Sequence, residues 1–509
     1  MVAAGILASR LAGLARTMVF SYFFGLHAEA DAFNAAVRIP NLLQNLFGEG
    51  ALSGSFIPVH AGLRAQGREA EAAQVARTVF ALLMVVMSVL VLAGVLATPI
   101  LIDTIAPGFS GARRDLAIRL VRILFPAAGI LVASAWCLGV LNSHGKFLLS
   151  YGSGVAWNAG MIIALEVFGP GGTPLDHLAV MLAWGSVAGA VLQFAVQAPT
   201  AFGLTTGGGS VALTEPVRRA IRDFFPVLIS RGAVQLSAYI DTFIASFLPV
   251  GALSALTNAQ LLYTLPVSLF GISVSAAELP ALSGAAARAE TDALRGRMNA
   301  ALERLTFFVV PSAVAFVALG DVIAGALLQR GRFRPEDSLI VWGVLAGSAI
   351  GLVASTQARL YSVAHYALGD TKTPLRFALI RIAAVTVLGW IFALILPRWI
   401  GIARIWGAAG LTASAGISGW IEFALLRHSF NGRVGSTGVQ ASRMARLWAA
   451  ACVAAALAFA VKRFVPLGPR PLVRGAAVLP VFAIVYIGIA ILLGVPFMVL
   501  LRPARGEHS

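Results

Sequence analysis

The sequence predicts an all-α polytopic membrane protein of about fourteen transmembrane helices, built as two six-helix lobes in a parallel pseudo-two-fold repeat plus two C-terminal helices. Three observations carry this. Hydrophobic residues make up 59% of the 509 and charged residues 12%, a balance that no soluble domain of this length keeps. Apolar runs of about 20 residues, enough to cross a bilayer at 1.5 Å per residue, recur along the whole chain. Short motifs also recur at offsets of about 221 to 223 residues: Ser9-Arg10 with Ser230-Arg231, Leu46-Phe47-Gly48 with Leu269-Phe270-Gly271, and Pro58 with Pro280.

The runs centre near about residues 13, 42, 90, 130, 158, 188, 234, 266, 315, 352, 385, 415, 453 and 487. The first holds Arg10 and is expected to be a true span, because the apolar core of a signal peptide rarely carries a charge. The second, from Ala32 to Val59, and the eighth are long, polar and interrupted by Gly, Pro and Ser, as helices that line a cavity are. Gly203 to Thr214, with Gly207-Gly208-Gly209, reads as the linker between lobes. The expected domains are an N-lobe at 1–205, a C-lobe at 215–430, and a C-terminal helix pair at 444–503 without a partner in the repeat. Six spans per lobe is an even number, so both lobes enter from the same side.

A net charge of +16 would suggest nucleic acid in a soluble protein. Here the basic residues mostly fall in short loops, where they fix topology and attract anionic headgroups, and no nucleic-acid partner is expected. Arg64, Arg68, Arg77, Lys146, Arg218 and Arg219 fall on one side, Arg113, Arg114, Arg330, Arg332 and Arg334 on the other. The overall bias favours N-in and C-in. Cys137 and Cys452 both lie in spans and form no disulfide framework.

No enzyme signature is present. The seven histidines show no metal-ligand spacing, and no Gly-rich loop runs into Lys and Ser/Thr to cradle a phosphate. What remains is a set of polar groups inside spans: Arg10, Arg16, Asp31, Arg38, Gln44, Asn45 and Glu49 in the first lobe, and Arg231, Gln235, Asp241, Asn258, Gln260 and Glu278 in the second. A charge at the bilayer centre costs at least a few kcal/mol, so such residues face a protein interior or a water-filled cavity. The two polar sets are expected to enclose one cationic cavity, and guanidinium groups suit a phosphate-bearing ligand there. Structural ion pairs, such as Arg38 with Asp31, are the alternative. Asp241 either holds a coupling sodium ion or proton or pairs with Arg231. Arg359 and Arg381 read as snorkelling near span ends.

Ser9-Arg10-x-x-Gly13-x-x-Arg16, Phe24-Gly25, Asp31-Ala-Phe33, Pro40-Asn-Leu-Leu43, Phe47-x-Glu49-Gly50-Ala51 and Phe56-x-Pro58 resemble the MurJ/MviN family of lipid II flippases. So do Ala106-Pro107-Gly108-Phe109, Leu265-Pro266, Leu279-Pro280-x-Leu-Ser283 and Ala367-Leu-Gly369-Asp370-Thr-Lys-Thr-Pro374. The similarity runs over essentially the whole chain. It implies a two-lobed, alternating-access fold in the bacterial inner membrane that moves an undecaprenyl-pyrophosphate-linked peptidoglycan precursor. It needs no cofactor beyond a coupling ion and works as a monomer among membrane lipids. Arg10 and Arg16 match family cavity arginines, Asp31 a cavity acid, Arg38 a commonly basic position and Asp241 an acid implicated in cation binding. The last two helices would form a groove for the polyprenyl tail. The chain departs from the family pattern at Gln44 and Leu261, where arginines are usual. Arg231 would restore one charge. The start is also short, with little before the first span. These departures keep open an exporter of another polyprenyl-linked glycan or of a drug-like substrate. An intramembrane transferase would need a catalytic set that Asp103, Asp115 and Asp176 do not make.

Overall fold

Backbone polar groups have no water to bond in a bilayer, so an apolar chain of this kind satisfies them within helices. The computed structural model describes residues 2–207, 209–465, 468 and 470–494, without the side chains of residues 2–4, 6, 49, 229–231, 233, 234 and 236–238. The first helices are α1 (Val2–Phe24), α2 (Ala28–Phe47), α3 (Glu49–Ala65), α4 (Glu69–Leu96), α5 (Thr98–Ile105), α6 (Gly111–Ser143), α7 (Phe147–Gly152), α8 (Gly154–Phe168), α9 (Leu175–Leu204) and α10 (Glu215–Ser246). There follow α11 (Ala252–Pro266), α12 (Ser273–Ala287), α13 (Thr291–Leu328), α14 (Pro335–Ala349), α15 (Leu352–Ala367), α16 (Lys372–Trp390), α17 (Leu396–Trp399), α18 (Gly407–Val434), α19 (Ala441–Phe464) and α20 (Pro471–Leu492).

Each span centre expected from the sequence falls on one of these helices. Among the described residues, ten helical stretches are long and apolar enough to cross a membrane, or eleven if α14 and α15, bent by 45°, form one span. The charge-bearing α1, α2 and α10 are not among the ten. The expected second span is two helices, broken at Gly48, whose N–H donates to the Gln44 carbonyl at 2.8 Å. The expected eighth span is continuous from α11 to α12 through a widened π turn, Val267–Ile272. It follows Pro266, which has no N–H to give to the helical ladder.

The chain divides into two compact units, residues 1–254 and 255–509. In the first, Trp136 of α6 is fully buried against Phe80 and donates its indole N–H to the Ala76 carbonyl at 2.9 Å. α10 lies along α3: a Cβ on Gly54 would stand 3.0 Å from a Val227 methyl, and the Phe47 and Phe224 rings are 5.7 Å apart. The helix after the Gly-rich linker therefore packs into the first unit, and the division of the chain falls past it, after Ser254.

In the second unit the long α13 is the centre, with α12, α14, α15, α19 and α20 against it. Tyr486 of α20 donates to the Phe307 carbonyl at 2.6 Å. Two ion pairs hold α19 to α13 near its two ends, Arg443 with Glu303 and Lys462 with Asp321. α19 and α20 pack on each other. The last residues of the expected C-terminal pair, from 495 on, lie outside the described residues.

Candidate functional site

The expected site residues of the first unit sit on α1, α2 and α10. Arg10 is exposed from α1, and among the described residues no carboxylate pairs with it. Arg16, less than two turns on, places its guanidinium 5.4 Å from the ring centre of Trp157 on α8. A cation over an indole face is held without being neutralised, which leaves its charge for a ligand. Arg38, on α2, is half-buried. Its carbonyl accepts the Tyr239 hydroxyl at 2.9 Å, and its guanidinium feels the charge of Asp241, both from α10. The acid expected to hold an ion or to pair with Arg231 thus acts on Arg38. The side chains of Arg231 and Glu49 lie outside the described residues.

Asp31 is engaged otherwise than the sequence suggests. It is buried, and it accepts the Gly251 N–H at 2.7 Å, the Ser254 N–H at 2.8 Å and the Ser254 hydroxyl at 2.7 Å. The alternative of an ion pair is met by Arg113 of α6 and not by Arg38: Arg113 is 3.7 Å away and stacked 4.0 Å over Phe109. Sequence spacing did not point to Arg113, which reads as a loop cation. The nearby Ala106-Pro107-Gly108-Phe109 motif was the available signal. Its Gly108 approaches α10 so closely that a Cβ would sit 2.2 Å from the Ser246 carbonyl, and its N–H donates to the Ser246 hydroxyl. These contacts fasten α2 to α6 and to the turn that leads into α11.

Gln44 stands one turn before the Gly48 break and is half-buried. Gln260, in the second unit, is exposed on α11, with its amide near Thr264 at 3.3 Å. The second unit's span carboxylates carry partners: Glu278 with Arg304 at 2.6 Å and Glu422 with Arg381 at 3.2 Å. It also holds an open cavity of about 390 Å³ with an almost wholly apolar wall, which includes Leu262, Leu269, Phe270, Phe308, Pro311 and Tyr486. The cavity lies among α11, α13 and α20 and the π turn between α11 and α12.

The sequence model of the family described as lipid II flippase MurJ matches residues 20–469 of this chain. The chain belongs to the MurJ family. A probable lipid II flippase MurJ of Rhizobium meliloti (strain 1021) is 30% identical over 92% of this chain and 89% of its own length. A lipid II flippase MurJ of Burkholderia cenocepacia is 32% identical over 82% of this chain and 80% of its own. Among solved structures, a lipid II flippase MurJ in an inward closed conformation superposes with a TM-score of 0.78 at 22% identity, covering 98% of this chain and 99% of the other. An inward-facing multidrug transporter of the MATE family reaches 0.68 at 17%, covering 84% and 95%. At those identities the likeness shows the fold alone, a multi-span bundle of helices.

Proposed function

We propose that this protein is a transporter that flips the lipid-linked peptidoglycan precursor, lipid II, from the cytoplasmic to the outer leaflet of the bacterial inner membrane, with both termini in the cytoplasm. The carrying observation is the cationic set on α1 and α2. Arg10 and Arg16 lie on the helix expected as the first span, with no carboxylate partner among the described residues, a placement that in a membrane is costly unless a ligand or water answers it. Membership of the MurJ family supplies the ligand's chemistry. The pyrophosphate would be held by Arg10, Arg16 and Arg38, bidentate contact being the strongest that a guanidinium makes. Arg231 would add a further charge. The apolar cavity among α11, α13 and α20 has the chemistry to take part of the polyprenyl chain.

Alternating access would then follow from moving the two lobes about a fixed charge set, with no covalent step and no cofactor. Asp241 is the natural coupling point. A proton or sodium ion arriving at its carboxylate would weaken its hold on Arg38 and free that guanidinium for the pyrophosphate. The test is complementation of a flippase-depleted bacterium, read as lipid II accessible on the outer face. Arg10→Ala should abolish that accessibility while leaving the thermal midpoint of the purified protein within the shift of about 0.5 kcal/mol usual for a surface change. Growth and export with the variant at wild-type level would refute the role of Arg10. Export of a different polyprenyl-linked glycan without lipid II would favour the other exporter reading.

A further inference from the structure

α15 is buried on nearly every side. From Gly351 to His365 its residues are buried or half-buried except for one, Arg359, which is exposed. A helix that buries its apolar and small side chains and opens only at a guanidinium is not arranged for lipid contact, since that charge is the residue hydrocarbon would least accept. Ser355, one turn earlier and so on the same face, shares a hydrogen bond of 2.8 Å with the Tyr263 hydroxyl of α11. Arg359 and Arg381 both lie close enough to Tyr263 to act on its hydroxyl electrostatically. The exposed Gln260 sits one turn before Tyr263.

Depth agrees with this grouping. α15 and α16 are joined only by residues 368–371, so positions equally far from that turn lie at one level. Arg359 is about 12 Å back along α15 and Arg381 about 14 Å forward along α16 at 1.5 Å per residue. Both therefore lie well inside their helices, a place that suits a site as well as the snorkelling that the sequence alone suggested. The charge balance is also uneven. Arg304 is answered by Glu278 and Arg381 by Glu422, whereas no ion pair involves Arg359 among the described residues.

We propose that Arg359 and Arg381, with the Tyr263 hydroxyl beside them, form an oxyanion subsite of the second unit that takes a phosphate group of a lipid. Arg359 is the free cation, and Arg381 is held in reserve by Glu422. The carrier of that phosphate is the polyprenyl-linked substrate, a statement that rests on the transport reading above. The shared chemistry would also suit a bilayer phospholipid headgroup.

The experiment measures binding of undecaprenyl pyrophosphate and, separately, of phosphatidylglycerol to the purified full-length protein by native mass spectrometry. Arg359→Gln should weaken undecaprenyl pyrophosphate binding roughly tenfold or more, the loss of one charge-assisted hydrogen bond. Arg359→Lys should recover part of it. Glu422→Gln should act in the opposite direction and tighten binding, because it releases Arg381, an outcome that a purely structural role for these residues would not produce. If neither Arg359→Gln nor Glu422→Gln changes binding of either lipid while Arg10→Ala does, the subsite is wrong and the transport reading survives. If wild-type protein ignores undecaprenyl pyrophosphate but binds phosphatidylglycerol through Arg359, the oxyanion site stands with a bilayer lipid as its occupant, and the transport reading falls.

Discussion

The two units of this protein differ in how much of their intramembrane charge is answered by an opposite charge. In the first, Arg10 and Arg16 stand without acids among the described residues, and the buried acid, Asp31, is bonded mainly to backbone N–H groups and a hydroxyl. In the second, the buried acids Glu278 and Glu422 are each answered by an arginine, and Arg359 has no ion pair among the described residues. Paired charges cost desolvation and return it through geometry, so they mainly hold helices in register. Unpaired ones are costly to fold and are retained where a ligand needs them. By this measure the first unit presents its cations and the second mostly spends them, with Arg359 as the exception.

The sharpest way to break that contrast is at Arg304. Its partner Glu278 has a side chain only 5% exposed, so Arg304→Leu leaves an uncompensated buried carboxylate. The loss expected is about 3 to 5 kcal/mol, read as a large fall in the thermal midpoint in detergent. Arg304→Leu with Glu278→Leu should recover most of it, because a well-packed apolar pair can replace a buried ion pair. If the single change is tolerated, the second unit's pairs are not structural and the distinction between the units fails.

A smaller effect is expected at Asp31. Asp31→Ala leaves the Gly251 and Ser254 N–H groups without their acceptor, a cost of about 1.5 to 3 kcal/mol for bonds to a charged group. Asp31→Asn keeps one acceptor oxygen and should fall between. A destabilised Asp31→Ala whose midpoint is not restored by adding substrate would mark Asp31 as a fastening. Full stability with lost substrate binding would return it to the cavity set expected from the sequence.

The sequence made the helices legible because membrane spans are long and their composition is extreme: every expected centre lies on a helix. It also made Arg10, Arg16 and Arg38 legible, since a charge in an apolar run needs no partner to be noticed. What it hid depends on contacts far apart in the chain. Asp31 meets residues some 220 positions away, and α10 joins α3 across the linker that composition marks as a boundary. Neither fact leaves a trace in spacing. Gly48 breaks a run that hydropathy reads as continuous. Arg359 looks like a snorkelling cation because sequence shows its charge and not the burial of the residues around it.

The mildest test uses a carboxylate that repeats Asp31's chemistry in water. Asp370, in the turn between α15 and α16, accepts the Thr373 N–H at 3.0 Å and the Thr373 hydroxyl at 2.7 Å, with Arg433 2.6 Å away. The two bonds from Thr373, and less so Arg433, hold its pKa down to about 2. An unfolded aspartate titrates near 3.9, so the stability from this group is complete above about pH 4 and is lost as the pH falls through about 2. Asp370→Asn should therefore flatten the fall of the thermal midpoint between about pH 4 and 2. The change should stay under about 1 kcal/mol, because water screens a pair at the surface. Backbone N–H, hydroxyl and guanidinium donors meet both carboxylates, from Thr373 and Arg433 at Asp370 and from Gly251, Ser254 and Arg113 at Asp31, and they do far more at Asp31 because that carboxylate is buried. If Asp370→Asn proves as damaging as Asp31→Ala, then burial is not what separates them, and the two units differ in less than their charge placement indicates.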